Sequence, residues 1–265
     1  MGRKAGARRR RTDNRKTRSR TKLTFVLIPG AGGSPWYWHL VEQELRERCH
    51  DVIAVSLPAA DDTAGLRQYA DAVIRAVGDL NRASLVVVAQ SLAGFIAPLV
   101  CQQVPLALLV LVNAMIPQPA ETPGDWWGHT GHAEAKRRKN LRDGRPADAE
   151  FDPLIDFFHD VPRHVVDEAL AQGPPRQSDK PFTTPCTFDV WPDVPTRVLV
   201  GRDDRFFPRE FQRRVARERL GITPDEMPGG HLVALSRPRE LAERLEAYAA
   251  DVATADSRAP YRRST

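Results

Sequence analysis

Cysteine is scarce in this chain of 265 residues: Cys49, Cys101 and Cys186 are odd in number, far apart and without a C-x-x-C pair. That pattern argues against a disulfide framework and against the paired thiolates of a structural zinc site, and it fits a reducing, cytoplasmic compartment. Long apolar runs are missing too. None approaches the roughly 20 residues that a membrane-spanning helix needs. Leu23–Ile28 follows a basic stretch as the apolar part of a secretion signal would, but it is six residues long and runs into Pro29-Gly30 without a small-residue cleavage site. Neither G-x-G-x-x-G nor a phosphate-loop lysine occurs, which removes the usual sequence signals of nucleotide binding.

The net charge of +5 is unevenly spread. Residues 1–22 carry 11 Lys/Arg against the single acidic Asp13, leaving 28 basic and 33 acidic residues in the remainder. The basic character therefore belongs to a tail, while the body is mildly acidic. Such a tail can hold nucleic acid or an anionic membrane by charge alone. No aromatic residue interleaves its charges to stack on bases, so a solvated, disordered extension is the expected reading and nucleic acid is not an expected partner.

Proline is the one abundant special residue, and ten of the 22 lie between Pro117 and Pro185. Proline removes a ladder donor, so this stretch should be poor in sheet. Elsewhere short, nearly continuous apolar runs recur at Leu23–Ile28, Val52–Val55, Leu85–Ala89, Leu106–Val112 and Val198–Val200, as expected of strands covered on both faces. Helical stripes lie between them: Leu66, Tyr69, Ala70, Val73, Ile74 and Val77 share one face, as do Leu241, Leu245, Tyr248 and Val252. Strands alternating with helices predict an α/β fold with a mostly parallel, doubly wound sheet. The predicted organisation is a basic tail (1–22), a core (23–116 and 190–253), a helical cap insertion (117–189) and a C-terminal tail (254–265). A structureless loop of the insertion's length would be unusual, and its charged run Glu134–Arg145 looks helical.

Three motifs bear chemistry. Leu85-Val86-Val87-Val88-Ala89-Gln90-Ser91-Leu92-Ala93-Gly94 runs a buried strand into a serine flanked by small residues. Taken alone, a serine at a strand–helix turn is usually an N-cap. Val198-Leu199-Val200-Gly201-Arg202-Asp203-Asp204 is a strand ending in an acidic turn, and Pro208 follows Asp204 by four. Gly229-Gly230-His231 places a histidine after two glycines, which predicts a mobile, accessible loop rather than a core position. Metal ligation is not expected: His129, His132 and His159 with Asp160 lack a completing carboxylate or cysteine at a recognisable spacing.

Taken together, in the order Ser–Asp–His, these segments resemble the nucleophile elbow, acid turn and histidine turn of the α/β-hydrolases, with Ala89 and Ala93 where glycines are usual. The resemblance spans most of Lys22–Ala250 and implies a serine hydrolase with Ser91 as nucleophile, Asp204 as acid and His231 as general base. It further implies an oxyanion hole from the backbone N–H groups of Ala31, in the loop Pro29-Gly30-Ala31-Gly32-Gly33, and of Leu92. Pro29 departs from the family's usual histidine, at little chemical cost because the working group is a backbone N–H. No cofactor is implied. Trp36-Tyr37-Trp38 and the Asn113-Ala114-Met115-Ile116-Pro117 exit look most like the branch of plant methylesterases and hydroxynitrile lyases. Trp126, Trp127, Leu154, Phe157 and Phe158 are candidates for an apolar ceiling, although packing within the cap explains them equally well. The expected reaction is hydrolysis of a small, largely apolar ester through an acyl-enzyme. The alternatives are a ligand-binding protein on the same fold, which turns over little, and a hydroxynitrile lyase. Lyases of the branch carry a lysine after the histidine; here Leu232 stands there, and no lysine follows Lys180.

Overall fold

The computed structural model describes residues 22–80 and 84–256, with the side chains given as far as Val252. Both predicted tails therefore lie outside the described residues, apart from Lys22 and the last turn of the final helix. Six strands form one sheet, in the order β2-β1-β3-β4-β5-β6, and every neighbouring pair is parallel. They are β1 Thr24–Ile28, β2 Asp51–Ala54, β3 Leu85–Gln90, β4 Leu108–Val112, β5 Thr196–Gly201 and β6 Asp225–Met227. β1, β3 and β4 are buried along their whole length. That is why they read as continuous apolar runs rather than as alternating ones.

Alternation survives in the direction of the side chains. Phe25, Leu27, Val86 and Val88 face a core shared with Val41 and Leu45 of α1 (His39–Glu47) and Leu241 and Leu245 of α9 (Pro238–Asp256). Val26, Ile28, Val87 and Ala89 face the opposite core, shared with α2 (Leu66–Val77), α3 (Ala97–Cys101) and α8 (Arg209–Leu220). The sheet is thus covered on both faces, as a doubly wound fold requires.

The strand order reverses between β1 and β3, where the chain winds first one way and then the other. Open parallel sheets hold ligands in the crevice outside the carboxyl ends of the strands at such a switch point. Here the β1 end leads into the Gly30–Gly33 loop and the β3 end leads into Ser91. The ladder pairing Ile28 with Ala89 sets the two side by side.

No strand falls between β4 and β5. Residues 113–195 carry instead α4 (Pro123–His129), α5 (His132–Arg142), α6 (Pro153–Asp156) and α7 (Arg163–Ala171). Prolines serve here as helix starters: Pro123 and Pro153 occupy first turns, where no backbone donor is needed. Buried Asp156 accepts from Lys136 Nζ at 2.5 Å and from Arg145 Nη1 at 2.8 Å, tying α6 to α5. Past Ser91 the chain forms a 3-10 turn, Ser91–Phe95, before α3. Pro98 lies in the first turn of that short helix, so it divides the segment in two rather than kinking one continuous helix.

Candidate active site

Ser91 follows β3 with a backbone φ of +52°, in the left-handed region that β-carbon sterics disfavour by about 1–2 kcal/mol. Its surroundings enforce that conformation. The Ser91 carbonyl accepts from Met115 N at 2.9 Å, and a Cβ on Gly94 would stand 1.8 Å from Met115 O. The demand for a residue without a side chain therefore falls on Gly94, and Ala93 is accommodated. The turn lifts the serine hydroxyl out of the sheet, and Ser91 is half-buried.

His231 Nε2 lies 3.2 Å from Ser91 Oγ, and its Nδ1 lies 2.9 Å from Asp204 Oδ2. A carboxylate can only accept, so Nδ1 carries the ring proton and Nε2 presents its lone pair to the serine. Asp204 is fully buried and well held: Oδ1 accepts from Phe206 N and Phe207 N, both at 2.8 Å, and Gln212 Nε2 donates to Oδ2 at 3.3 Å. Asp203 turns the other way and accepts from Gly229 N at 3.0 Å. Ser91, Asp204 and His231, drawn together from three distant segments, thus form one hydrogen-bonded line.

The expectation of an exposed histidine loop is corrected. His231 is only 1 % exposed, stacked on Phe157 with ring centroids 4.9 Å apart and met edge-on by Phe206 and Phe207. The neighbouring glycines serve close packing rather than mobility. A Cβ on Gly201 would come within 2.5 Å of Gly229 O, and one on Gly230 within 2.6 Å of His159 Cε1. Gly230 N donates to Asp160 Oδ2 at 2.8 Å, which fixes the turn from the side of the insertion.

Asn113 is a structural member of the site whose role the sequence reading missed. It ends β4 at φ +44°, fully buried. Its Nδ2 donates to the carbonyls of Gly230 and His231 at 3.0 and 3.1 Å, and its Oδ1 accepts from Gly201 N at 2.7 Å. One amide thus braces the acid loop against the histidine loop. The signal in the sequence is an asparagine directly after a buried strand, a residue type enriched at positive φ.

The N–H groups of the β1 loop point several ways. Gly30 N donates to Gln90 Oε1, Gly32 N to Gln177 Oε1 and Gly33 N to Gly30 O. Among the described residues, that of Ala31 is given no protein acceptor. Leu92 N–H is near the start of its turn, where intrahelical acceptors do not exist.

A cavity of about 530 Å³ opens beside this loop, bounded by Gly30, Ala31 and Gln90 on one side and by the insertion on the other. Its walls are apolar, with Trp36, Phe157, Phe158, Leu170, Leu232 and Leu235 among them, and among the described residues no Lys, Arg, Asp, Glu or His lines it. Tyr37 adds a phenol whose burial holds its pKa far above the ordinary tyrosine range, so it stays neutral.

Of the five proposed ceiling residues only Phe157 and Phe158 line that cavity. Trp126 is 1 % exposed, packed on Phe207 and Phe211 with its Nε1 donating to Ile116 O, so it joins the insertion to the main core. Trp127 packs on Phe206, Phe207 and His132. Leu154 points outward and is 52 % exposed. Phe151, Pro174 and Pro175, which the sequence reading did not single out for the pocket, do line it.

Among the described residues no group of three or more His, Cys, Asp or Glu side chains is placed to hold a metal ion. His129 Nδ1 pairs with Glu121 and His132 Nε2 with the carbonyl of Phe206, so the two turn to different partners. No described helix is long and apolar enough to cross a membrane.

No curated protein matches the chain significantly. Solved structures do match its fold. Polyneuridine aldehyde esterase superposes with a TM-score of 0.66 at 20% identity, over 85% of this chain and 98% of that one. A pyrethroid hydrolase from Sphingobium faniae JZ-2 gives 0.66 at 22% identity, over 88% and 100%. A variant of tomato methylketone synthase I, complexed with beta-ketoheptanoate, gives 0.67 at 18% identity, over 88% and 99%. The sequence itself matches the alpha/beta hydrolase family from residue 25 to residue 244, a span that takes in all three members of the hydrogen-bonded line, and the chain belongs to that family.

Proposed function

We propose that this protein is a serine esterase that hydrolyses a small, neutral and largely apolar ester through an acyl-enzyme. The observation that carries the reading is the line Ser91 Oγ–His231–Asp204, with 3.2 and 2.9 Å between successive partners and the serine held at a positive φ. Ser91 Oγ attacks the ester carbonyl carbon while His231 Nε2 takes its proton. The oxyanion that forms faces the N–H groups of Ala31 and Leu92, and such donors stabilise a charge present only in the transition state. The carbon–oxygen bond to the alcohol then breaks, and the imidazolium returns its proton to the departing oxygen. Water, deprotonated in turn by His231, attacks the acyl carbon, the bond to Ser91 Oγ breaks, and the imidazolium returns its proton to Oγ as the acid is released.

Residues 117–189 act as the cap, and the charge-free cavity between cap and sheet is the proposed substrate pocket. Moving a charged group from water into such walls costs several kcal/mol without a partner, which favours neutral esters over those bearing a carboxylate or an ammonium. Two of the structural neighbours are named as an esterase and a hydrolase, which agrees with this reading. A lyase that expels cyanide needs a cation where that anion appears. Leu232 lines the cavity at the position after His231, and no cation among the described residues lines it, which favours ester chemistry. The three cysteines are free thiols, in keeping with a cytoplasmic enzyme.

The test is turnover of p-nitrophenyl esters of graded chain length by the wild type and by Ser91→Ala. Activity on neutral esters that vanishes in the variant is expected, with no cyanide released from mandelonitrile above the buffer rate. A wild type without esterase activity would leave a ligand-binding protein as the reading. Cyanide release that depends on Ser91 would make it a lyase.

A further inference from the structure

The loop that presents Ala31 N–H is held by two glutamine side chains. Gln90, immediately before the nucleophile, is 3 % exposed, and its Oε1 accepts from Gly30 N at 3.1 Å. Gln177, near the end of the insertion, accepts from Gly32 N at 2.8 Å, while its Nε2 donates to Tyr69 Oη at 3.1 Å and to Ser178 O at 2.8 Å. The N–H groups on either side of Ala31 are therefore occupied by side-chain carbonyls from two different parts of the chain. Both fits are close. A Cβ on Gly30 would stand 2.5 Å from Gln90 Oε1, and one on Gly32 would stand 2.8 Å from Pro175 Cβ.

Gln90 makes a further contact. Its Nε2 lies 3.3 Å from His231 Nε2, the atom that must accept the Ser91 proton. The amide cannot flip without turning a donor toward Gly30 N–H. Its N–H groups are thus committed to the side of His231, where they match a ring nitrogen bearing a lone pair and oppose one bearing a proton.

We infer that Gln90 and Gln177 are positioning residues that fix the oxyanion loop, and that Gln90 also favours the neutral, proton-accepting form of His231. The inference rests on the acyl-transfer reading above. A loop with its N–H already aimed spends nothing on reorganisation when the oxyanion forms, so its loss appears in kcat rather than in KM. Gln90 links the two halves of the machinery, the donor of the oxyanion hole and the base, through one amide. Among the described residues, the other titratable and charged groups about His231 are Asp204 on Nδ1, Asp160 and His159 at Gly230, Asp203 at Gly229, Arg205 in the acid loop, Tyr37 at Ala234, and His132 across Phe206 and Phe207. None of these contacts Nε2, so a change at Gln90 is read at that atom.

The test compares Gln90→Met, Gln90→Glu and Gln177→Met in the full chain. The readouts are p-nitrophenyl butyrate turnover across pH and inhibition by an alkyl trifluoromethyl ketone, which forms a tetrahedral adduct with the serine. Both methionine variants are expected to lose about 10- to 100-fold in kcat with KM within about threefold, and to bind the ketone more weakly by a matching factor. Gln90→Glu keeps the acceptor for Gly30 N–H but sets an anion against Nε2. Its acid limb of kcat/KM should move up by about one pH unit or more.

The inference is overturned if the methionine variants keep wild-type kcat and ketone affinity, or if the acid limb of Gln90→Glu stays in place. A wild type whose turnover survives Ser91→Ala fails in a different way, since that refutes acyl transfer itself.

Discussion

Replacing Asp204 with asparagine tests the assignment of the acid at a single atom. Asp204 Oδ1 receives two backbone N–H groups, from Phe206 and Phe207, each at 2.8 Å. In the variant only the amide oxygen can take that place, because an NH2 group accepts nothing there. The NH2 group is then forced into the position of Oδ2, 2.9 Å from His231 Nδ1 and facing the Nε2 donor of Gln212. To avoid opposing donors His231 must move its proton to Nε2, which then offers Ser91 a hydrogen instead of a lone pair. The shape of the site survives while its base is lost. Such a tautomer reversal costs about 10³- to 10⁴-fold in turnover, or about 4–5.5 kcal/mol of transition-state stabilisation. Asp203→Asn is the control. Its oxygen still accepts from Gly229 N, and a loss below about threefold, under about 0.7 kcal/mol, is expected. The assay is kcat/KM on p-nitrophenyl butyrate for both variants beside the wild type, with melting temperatures to show that both fold. A larger loss in Asp203→Asn, or an Asp204→Asn enzyme within tenfold of wild type, would refute the reasoning.

Gly201→Ala brings a methyl group within 2.5 Å of Gly229 O and 2.8 Å of Gly230 O, both backbone, so a stability loss of about 1–3 kcal/mol is expected, read as a lowered denaturant midpoint; an unchanged midpoint would show that the acid and histidine loops have room to part. Deleting residues 2–21 should leave the melting temperature and ester turnover unchanged, since that stretch lacks the apolar residues to join a core, and a large loss of either would give the tail a structural part. Burial holds the His132 pKa below its ordinary value, so between the two values the unfolded chain binds a proton that the folded one refuses. Stability at this site is therefore full above the ordinary histidine value of about 6.5 and falls as pH drops below it. Melting temperatures at pH 7.5 and 5.5 should differ less in His132→Gln than in the wild type, and equal differences would contradict the sign.

Much of the fold was legible because buried parallel strands read as apolar runs and their helices as stripes. β6 escaped notice: Asp225-Glu226-Met227 is three residues at the sheet edge, with one buried side chain, too short for any pattern. Ser91, Asp204 and His231 were legible because each sits on a turn whose glycines and strand context are local in sequence. The environment of His231 was not. Two glycines announce conformational freedom equally well whether it serves mobility or close packing, and only the approach of His159 and of Gly201 decides between them. The pocket was least legible. Trp126, Trp127 and Leu154 share the apolar character of Phe157 and Phe158, but one packs inward, one sideways and one points to solvent, directions fixed by tertiary contacts that composition does not encode.

Among the contacts of the insertion with the loops of the candidate site, three hold the histidine turn and the β1 loop: Phe157 stacks on His231, Asp160 holds Gly230 N, and Gln177 holds Gly32 N. This bears on recombination between relatives. In a hydrolase whose cap merely overhangs the sheet, exchanging that segment alters which substrates fit and leaves the rate of the chemical step alone. Here a transplanted segment lacking an aromatic ring, a carboxylate and an amide at those three places would unfasten the histidine turn and the β1 loop as well. A chimera made by swapping residues 117–189 inherits the scaffold of this enzyme but not its alignment, unless those three residues travel back with the host.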